Sequence, residues 1–321
     1  MKKKLYSFTI VITIIILSIN IFLKSSLLNN TIIFSINLFV KSIFPSLFPM
    51  FIISSLLTNI GIPELIGVIF KKPITKLFKT KSISSFILFM SMLSGFPSSA
   101  KYINDFIEKK ELNTTEAEKI LLFTFFSNPL FVINTIGNSF FGSKIIGFKI
   151  YLAHVLGSII TGIIFRNYNK NSTKELTIDK KDIFKNINKK IENSSIFKIL
   201  TNSITESLNI MLNTFGIITC FLIVINISFG TPNNLIKVFI AGLIEMTSGL
   251  KYLALLNINQ KIKVIISTFF ISFGGLCIHT QIMNILKEKK MKYSPFLLSR
   301  IIHSLLSIVI IYLILQMDKL F

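Results

Sequence analysis

Cysteine is close to absent from this chain. Two thiols, Cys220 and Cys277, stand among 321 residues. Both lie inside apolar segments, without the partner spacing of a zinc site or a disulfide framework, which excludes a stapled secreted scaffold. Also missing are a G-x-S-x-G elbow, an H-E-x-x-H pair, a P-loop and any paired metal-ligand motif. The expectation is therefore a protein that is not an enzyme and carries no cofactor and no metal. Acid is scarce as well, with 14 Asp and Glu against 35 Lys and Arg and a formal net charge of +21. In a soluble protein that excess would point to nucleic acid. Here the lysines cluster in short segments between apolar runs, where they set membrane orientation, and nucleic acid is not expected as a partner.

What the chain has in abundance is apolar sequence. Hydrophobic residues make up 51% and charged residues 15%, with a mean hydropathy of +0.69, far more apolar than an average soluble domain. A helix needs about 20 mostly apolar residues to cross a hydrocarbon core of about 30 Å. Stretches free of Asp, Glu, Lys and Arg fall at 5–23, 42–63, 82–100, 120–143, 150–165, 207–236, 264–286 and 301–317. The expected fold is all-α, a polytopic membrane protein. Leu5 to Leu23, behind the basic cap "MKKK", reads as an uncleaved first span, and Lys2 to Lys4 put the N-terminus in the cytoplasm.

The lysines then assign sides. "KSSLLNN" falls outside, a span over Phe44 to Ile60 returns inward, and "KKPITKLFKTK" is cytoplasmic. The apolar piece from Ser82 is followed by another basic loop, "EKKELNTTEAEK", so it enters and leaves on one face as a re-entrant helical hairpin with Gly95 to Ser99 at its tip. Thr114 or Thr115 caps a helix that crosses outward through a break at "FSNPL", and residues 146–165 return to Arg166. The second half repeats the plan in opposite polarity. A span at Ser207 to Ile227 is followed by a hairpin with its tip near Glu245 to Gly249, a helix broken at Gly274 and Gly275, and a closing span at 296–315. "HVLGSII" from His154 and "HSLLSIV" from His303 support a common origin of the halves. The expected division is an N-terminal transmembrane helix at 1–30, inverted repeats at 31–166 and 201–321, and a polar, basic cytoplasmic linker at 167–200.

Candidate site residues follow from the interruptions. Glu245 in "GLIEMTSG" would cost about 2.5 to 3.5 kcal/mol if ionised at the bilayer centre, so it faces a cavity, pairs with a cation or sits at an interfacial helix end. Thr247 and Ser248 follow it on the same tip. Lys101 is a counter-charge to Glu245 or to a ligand anion, or else snorkels to an interface. Ser98 and Ser99 offer hydroxyls to a ligand or satisfy backbone freed by Pro97. Asn128 can donate and accept beside a break whose carbonyls could coordinate an ion, with a local cap before Pro129 as the alternative. Gln281 lines the same cavity or glues helices together.

Taken in order, "SGFPSSAK", "FSNPLF", "GLIEMTSG", "FGGLCIHTQ" and "SRIIHSLL" resemble the sporulation integral membrane protein family of the YlbJ type, within the wider nucleoside-recognition or Gate domain group. The resemblance runs from Phe44 to Leu315. It implies a protein of a sporulation-associated bacterial membrane with a transporter-like core, moving or sensing a small polar or anionic solute, with proton or sodium coupling and oligomerisation open to it. The competing expectation is a non-transporting membrane scaffold or assembly factor for the spore envelope, working through the basic linker.

Overall fold

The computed structural model describes residues 11–12, 15, 18–168 and 195–317. Regular structure among them is entirely helical. Five helical stretches are long and apolar enough to cross a membrane: Ser25–Ile60, Lys144–Asn167, Ile196–Phe229, Gln260–Ile285 and Tyr293–Met317. This fits a polytopic membrane protein.

The first of these, α1 (Ser25–Ile60), widens into a looser turn at Phe39–Ile43. The carbonyl of Ser42, in that turn, accepts hydrogen bonds from the hydroxyls of Ser46 and Thr135. Two short helices follow, α2 (Ile62–Ile69) and α3 (Lys71–Phe78), then α4 (Ile83–Ser94) and α5 (Ser98–Glu108). Next come α6 (Thr114–Leu121), the wide-turned α7 (Phe131–Phe140) and α8 (Lys144–Ile164). The second half comprises α9 (Ile196–Phe229), α10 (Leu235–Ile244), α11 (Met246–Leu255), α12 (Gln260–Phe273), α13 (Gly275–Ile285) and α14 (Tyr293–Met317).

α1 and α9 form a long antiparallel pair sealed by polar side chains. Asn226 donates to Thr31, Ser35 meets Thr219, Ser55 donates to Glu206 and Asn59 donates to Ser203. In a hydrocarbon solvent the apolar effect gives no preference for helix association, so such bonds carry much of the specificity. The stretch "KSSLLNN" is not the expected external loop, because it is helical from Ser25 onward. Lys24 bonds the carbonyl of Ile227, Thr31 bonds that of Leu27, and residues 25–30 continue into α1. The second span thus begins at Ser25 instead of Phe44, and the boundary expected at residue 30 falls within a helix. Most of the first expected span, 5–23, lies outside the described residues, as does most of the linker, 169–194. α9 starts at Ile196, so the boundary expected at 200 also falls inside a helix.

Another correction concerns α6. Its cap is Asn113, whose side chain accepts from the Glu116 N–H at 2.8 Å, so Thr114 is already helical. The interruptions after Ser94, after Leu121, at Glu245 and at Gly274 fall where glycine, proline, asparagine and glutamate punctuate charge-free runs. The order of paired helix, broken helix and closing helix in α4 to α8 recurs in α10 to α14. α8 and α14, the closing helices, pack against each other and against α12.

Candidate functional site

The interruption between α4 and α5 is made by Gly95, Phe96 and Pro97. Gly95 has φ +79° and ψ 179°, a region essentially reserved to glycine. A Cβ placed on it would lie 2.5 Å from the backbone nitrogen of Asn128. The two interruptions of this half are stitched together at that contact. The N–H of Phe96 donates to the carbonyl of Phe126 at 2.7 Å. The Asn128 amide donates to the carbonyls of Leu93 and Ser94, while its oxygen accepts from the Phe131 N–H at 3.1 Å. One side chain thereby ends α4 and starts α7. Unpaired backbone groups are costly away from water, and these bonds supply partners to the carbonyls of Leu93, Ser94 and Phe126 and to the N–H groups of Phe96 and Phe131.

Between α6 and α7 the chain is irregular from Thr124 to Asn128. Three backbone groups of this segment and the turn before it are met by the closing helices. Ser158 of α8 donates to the carbonyl of Phe123 at 2.9 Å, the Ser127 N–H donates to His154 Nε2 at 3.0 Å, and Arg300 of α14 donates to the carbonyl of Leu122. The Arg300 guanidinium, fully buried, lies over the rings of Phe125 at 4.5 Å and Phe296 at 5.5 Å, which replace part of its lost hydration.

In the second half Glu245 is the N-cap of α11. Its carboxylate accepts from the N–H groups of Thr247 at 2.9 Å and Ser248 at 2.6 Å, and the side chain is 1% exposed. The helix N-terminus favours this negative group. At the break between α12 and α13, Gly274 adopts φ +91°, and His279 donates from Nε2 to the orphaned carbonyl of Phe273 at 2.8 Å. Gly275 abuts the backbone of Met246, so this break touches the Glu245 tip as the first tip touches Asn128.

Three of these interruptions, at Phe96, at Ser127 and Asn128, and at Glu245, border one small cavity, and α13 adds Ile278 and Gln281. The cavity has a volume of about 30 Å³, and its walls include Phe96, Ser127, Asn128, Glu245, Thr247 and Gln281. That is room for about two waters or one desolvated ion. The Ser127 hydroxyl is buried there without a hydrogen-bond partner among the described residues. A second cavity of about 270 Å³ lies against it, sharing Thr214 and Gln281 with the first and bounded also by Ser98, Lys101, Asn213 and Asn284.

The chain is similar to a curated protein of related description. It is 27% identical over 300 residues to the sporulation integral membrane protein YlbJ of Bacillus subtilis (strain 168), an alignment covering 85% of this chain and 74% of that protein. That similarity supports a YlbJ-type family. The relative is an integral membrane protein, in keeping with the apolar helices described above. No family model matches the chain, and no solved structure does.

Of the residues expected at the site, Glu245, Asn128, Thr247 and Gln281 border the inner cavity, while Ser98, Lys101 and Gln281 border the larger one. Ser248 is turned inward, its hydroxyl bonded to the carbonyl of Glu245, and the buried Ser99 hydroxyl has no partner among the described residues. One assignment is corrected. Lys101 is not the counter-charge of Glu245, because its ammonium pairs with the Glu206 carboxylate at 2.8 Å, and Ser55 donates to the same oxygen at 2.7 Å. Glu206 and Thr214 are the residues that sequence reasoning missed. A signal for Glu206 did exist, since it is the charge that ends the run 207–236 and so stands at the edge of a span.

Proposed function

We propose that this chain is a sporulation-associated integral membrane protein with a transporter-like core, moving or sensing a small polar or anionic solute. The observation carrying this reading is the convergence of three helix interruptions on a cavity that holds a buried carboxylate and adjoins a larger one across Thr214 and Gln281. Irregular backbone at membrane depth is tolerated where protein or a watered cavity surrounds it, and transporters place solute sites at such points. The recurring order of elements is consistent with two inverted repeats, each with a re-entrant hairpin and a broken helix. The N-terminus is cytoplasmic in this reading. Coupling to protons or sodium would pass through Glu245 and its neighbours.

The test is metabolite profiling of sporulating host cells with and without the protein, together with Thr214→Phe. Thr214 is buried between the two cavities, so the larger ring would obstruct the route between them. A blocked solute path predicts that Thr214→Phe reproduces the metabolite change of the deletion while its membrane abundance stays normal. A second reading, the envelope scaffold, is favoured by one observation: Asn128 and Glu245 engage their polar atoms in capping backbone. The scaffold predicts that Thr214→Phe is silent and that removing residues 169–194 is not.

A further inference from the structure

The larger cavity is more specific than the reading above requires. Resting on that reading, we propose that it is the docking site for the anionic group of the solute, a carboxylate or a phosphate, at Lys101. Glu206 occupies that place when the solute is absent.

Lys101 borders the cavity on the second turn of α5, while Glu206 reaches it from α9 without lining the cavity itself. The Lys101 ammonium has three donors, of which Glu206 engages one. An incoming oxyanion can therefore approach from the cavity side before the internal carboxylate leaves. The pair is part-exposed, with 26% of the Lys101 and 44% of the Glu206 side chain accessible, so displaced Glu206 has room to turn aside. Such a pair is weak and exchanges readily. After displacement Glu206 keeps the Ser55 hydroxyl as a donor.

The rest of the wall suits the same ligand. Ser98 opens α5, is 3% exposed and places its hydroxyl at a helix N-terminus, the end that favours anions. Asn213, Asn284 and Gln281 add amides that donate as well as accept, which suits hydroxyl or amino groups elsewhere on the solute. Glu245 does not oppose an anion here. It lines the inner cavity, and the N–H groups of Thr247 and Ser248 already hold its carboxylate. A volume of about 270 Å³ is nearly twice the ~150 Å³ that admits benzene. That volume suits a small metabolite.

The experiment uses the full chain purified in neutral detergent, with sodium phosphate or sodium acetate titrated at ionic strength held constant with sodium chloride, reading thermal unfolding. The wild type should show a saturable rise in melting temperature. Lys101→Met should lose it, and Lys101→Arg should retain it, which separates loss of the charge from loss of the fold. Glu206→Gln removes the competitor and should tighten the anion about two- to fivefold. A purely structural ion pair makes the opposite forecast, with Glu206→Gln no better than wild type. The assignment is overturned if neither anion acts saturably, if Lys101→Met still responds, or if Glu206→Gln weakens the response. It is also overturned if only phosphatidylglycerol added to the micelles stabilises the protein, since the oxyanion would then be a lipid headgroup. Should any of these occur while Thr214→Phe still mimics the deletion in cells, the solute path stands and this assignment alone falls.

Discussion

His303 donates its Nε2 proton to the backbone carbonyl of His154 across 2.8 Å, so the ring of one histidine holds the peptide of the other. The bond fixes a chain of tautomers. With its proton on Nε2, His303 accepts at Nδ1 from Arg300 at 3.0 Å. His154 accepts at Nε2 from the Ser127 N–H, so its own proton is on Nδ1 and points at the Ser272 hydroxyl at 3.0 Å. Ser127 belongs to the break between α6 and α7, and Ser272 precedes the break at Gly274. The two broken helices are thereby joined through a buried relay on the closing helices.

That relay predicts the outcome of His154→Phe. Phenylalanine keeps the ring but leaves the buried Ser127 N–H without its acceptor, a loss of about 1 to 3 kcal/mol. Thermal unfolding in detergent should show it. Ser272→Ala in the His154→Phe background should add less than it does alone, because its partner is already gone. Equal and additive effects would mean that the two residues are not coupled.

Gly95→Ala tests the stitch between tip and break. Its backbone conformation costs a non-glycine residue about 1 to 3 kcal/mol before any contact is counted. The new methyl would also meet backbone atoms of Asn128, which cannot swing aside as a flexible side chain can. The expected result is a large fall in melting temperature and in membrane abundance. Gly142→Ala is the control. It too has positive φ, but open space surrounds it, so it should cost only the backbone strain.

Much of this architecture was legible in the sequence because the interruptions are written in residue types that break helices. Gly95 with Pro97, Asn128 with Pro129, Glu245, and Gly274 with Gly275 each stand inside a run that would otherwise read as a span. What could not be read was long-range pairing. "KSSLLNN" looks like a loop because its polar residues have no local reason to be helical, and the partners of Lys24 and of the adjoining Thr31, the carbonyl of Ile227 and the Asn226 amide, lie some two hundred residues away. Of the roles open to Lys101, that of counter-charge to Glu245 named the wrong acid for the same reason. Spacing along a chain does not say that Glu206, at the edge of α9, packs beside α5. Asn113 took the cap from Thr114 through a local competition among adjacent capping residues, which position alone does not decide.

Glu245 carries the last prediction, because its two roles respond differently to substitution. As the N-cap of α11 it accepts from Thr247 and Ser248. Glu245→Ala should cost about 0.5 to 2 kcal/mol, the usual range for loss of a cap. Glu245→Gln retains one acceptor oxygen and nearly the same shape, so its unfolding temperature should fall by less than half as much. As a coupling group for the solute path, however, the carboxylate matters for its charge, and glutamine is then as damaging as alanine. Measuring unfolding and sporulation together separates the two. If Glu245→Gln sporulates normally while Glu245→Ala fails in proportion to its lost stability, the carboxylate is a cap and nothing more. If both fail alike at normal abundance, its charge is required in the cavity, because the backbone of α11 would have accepted the amide.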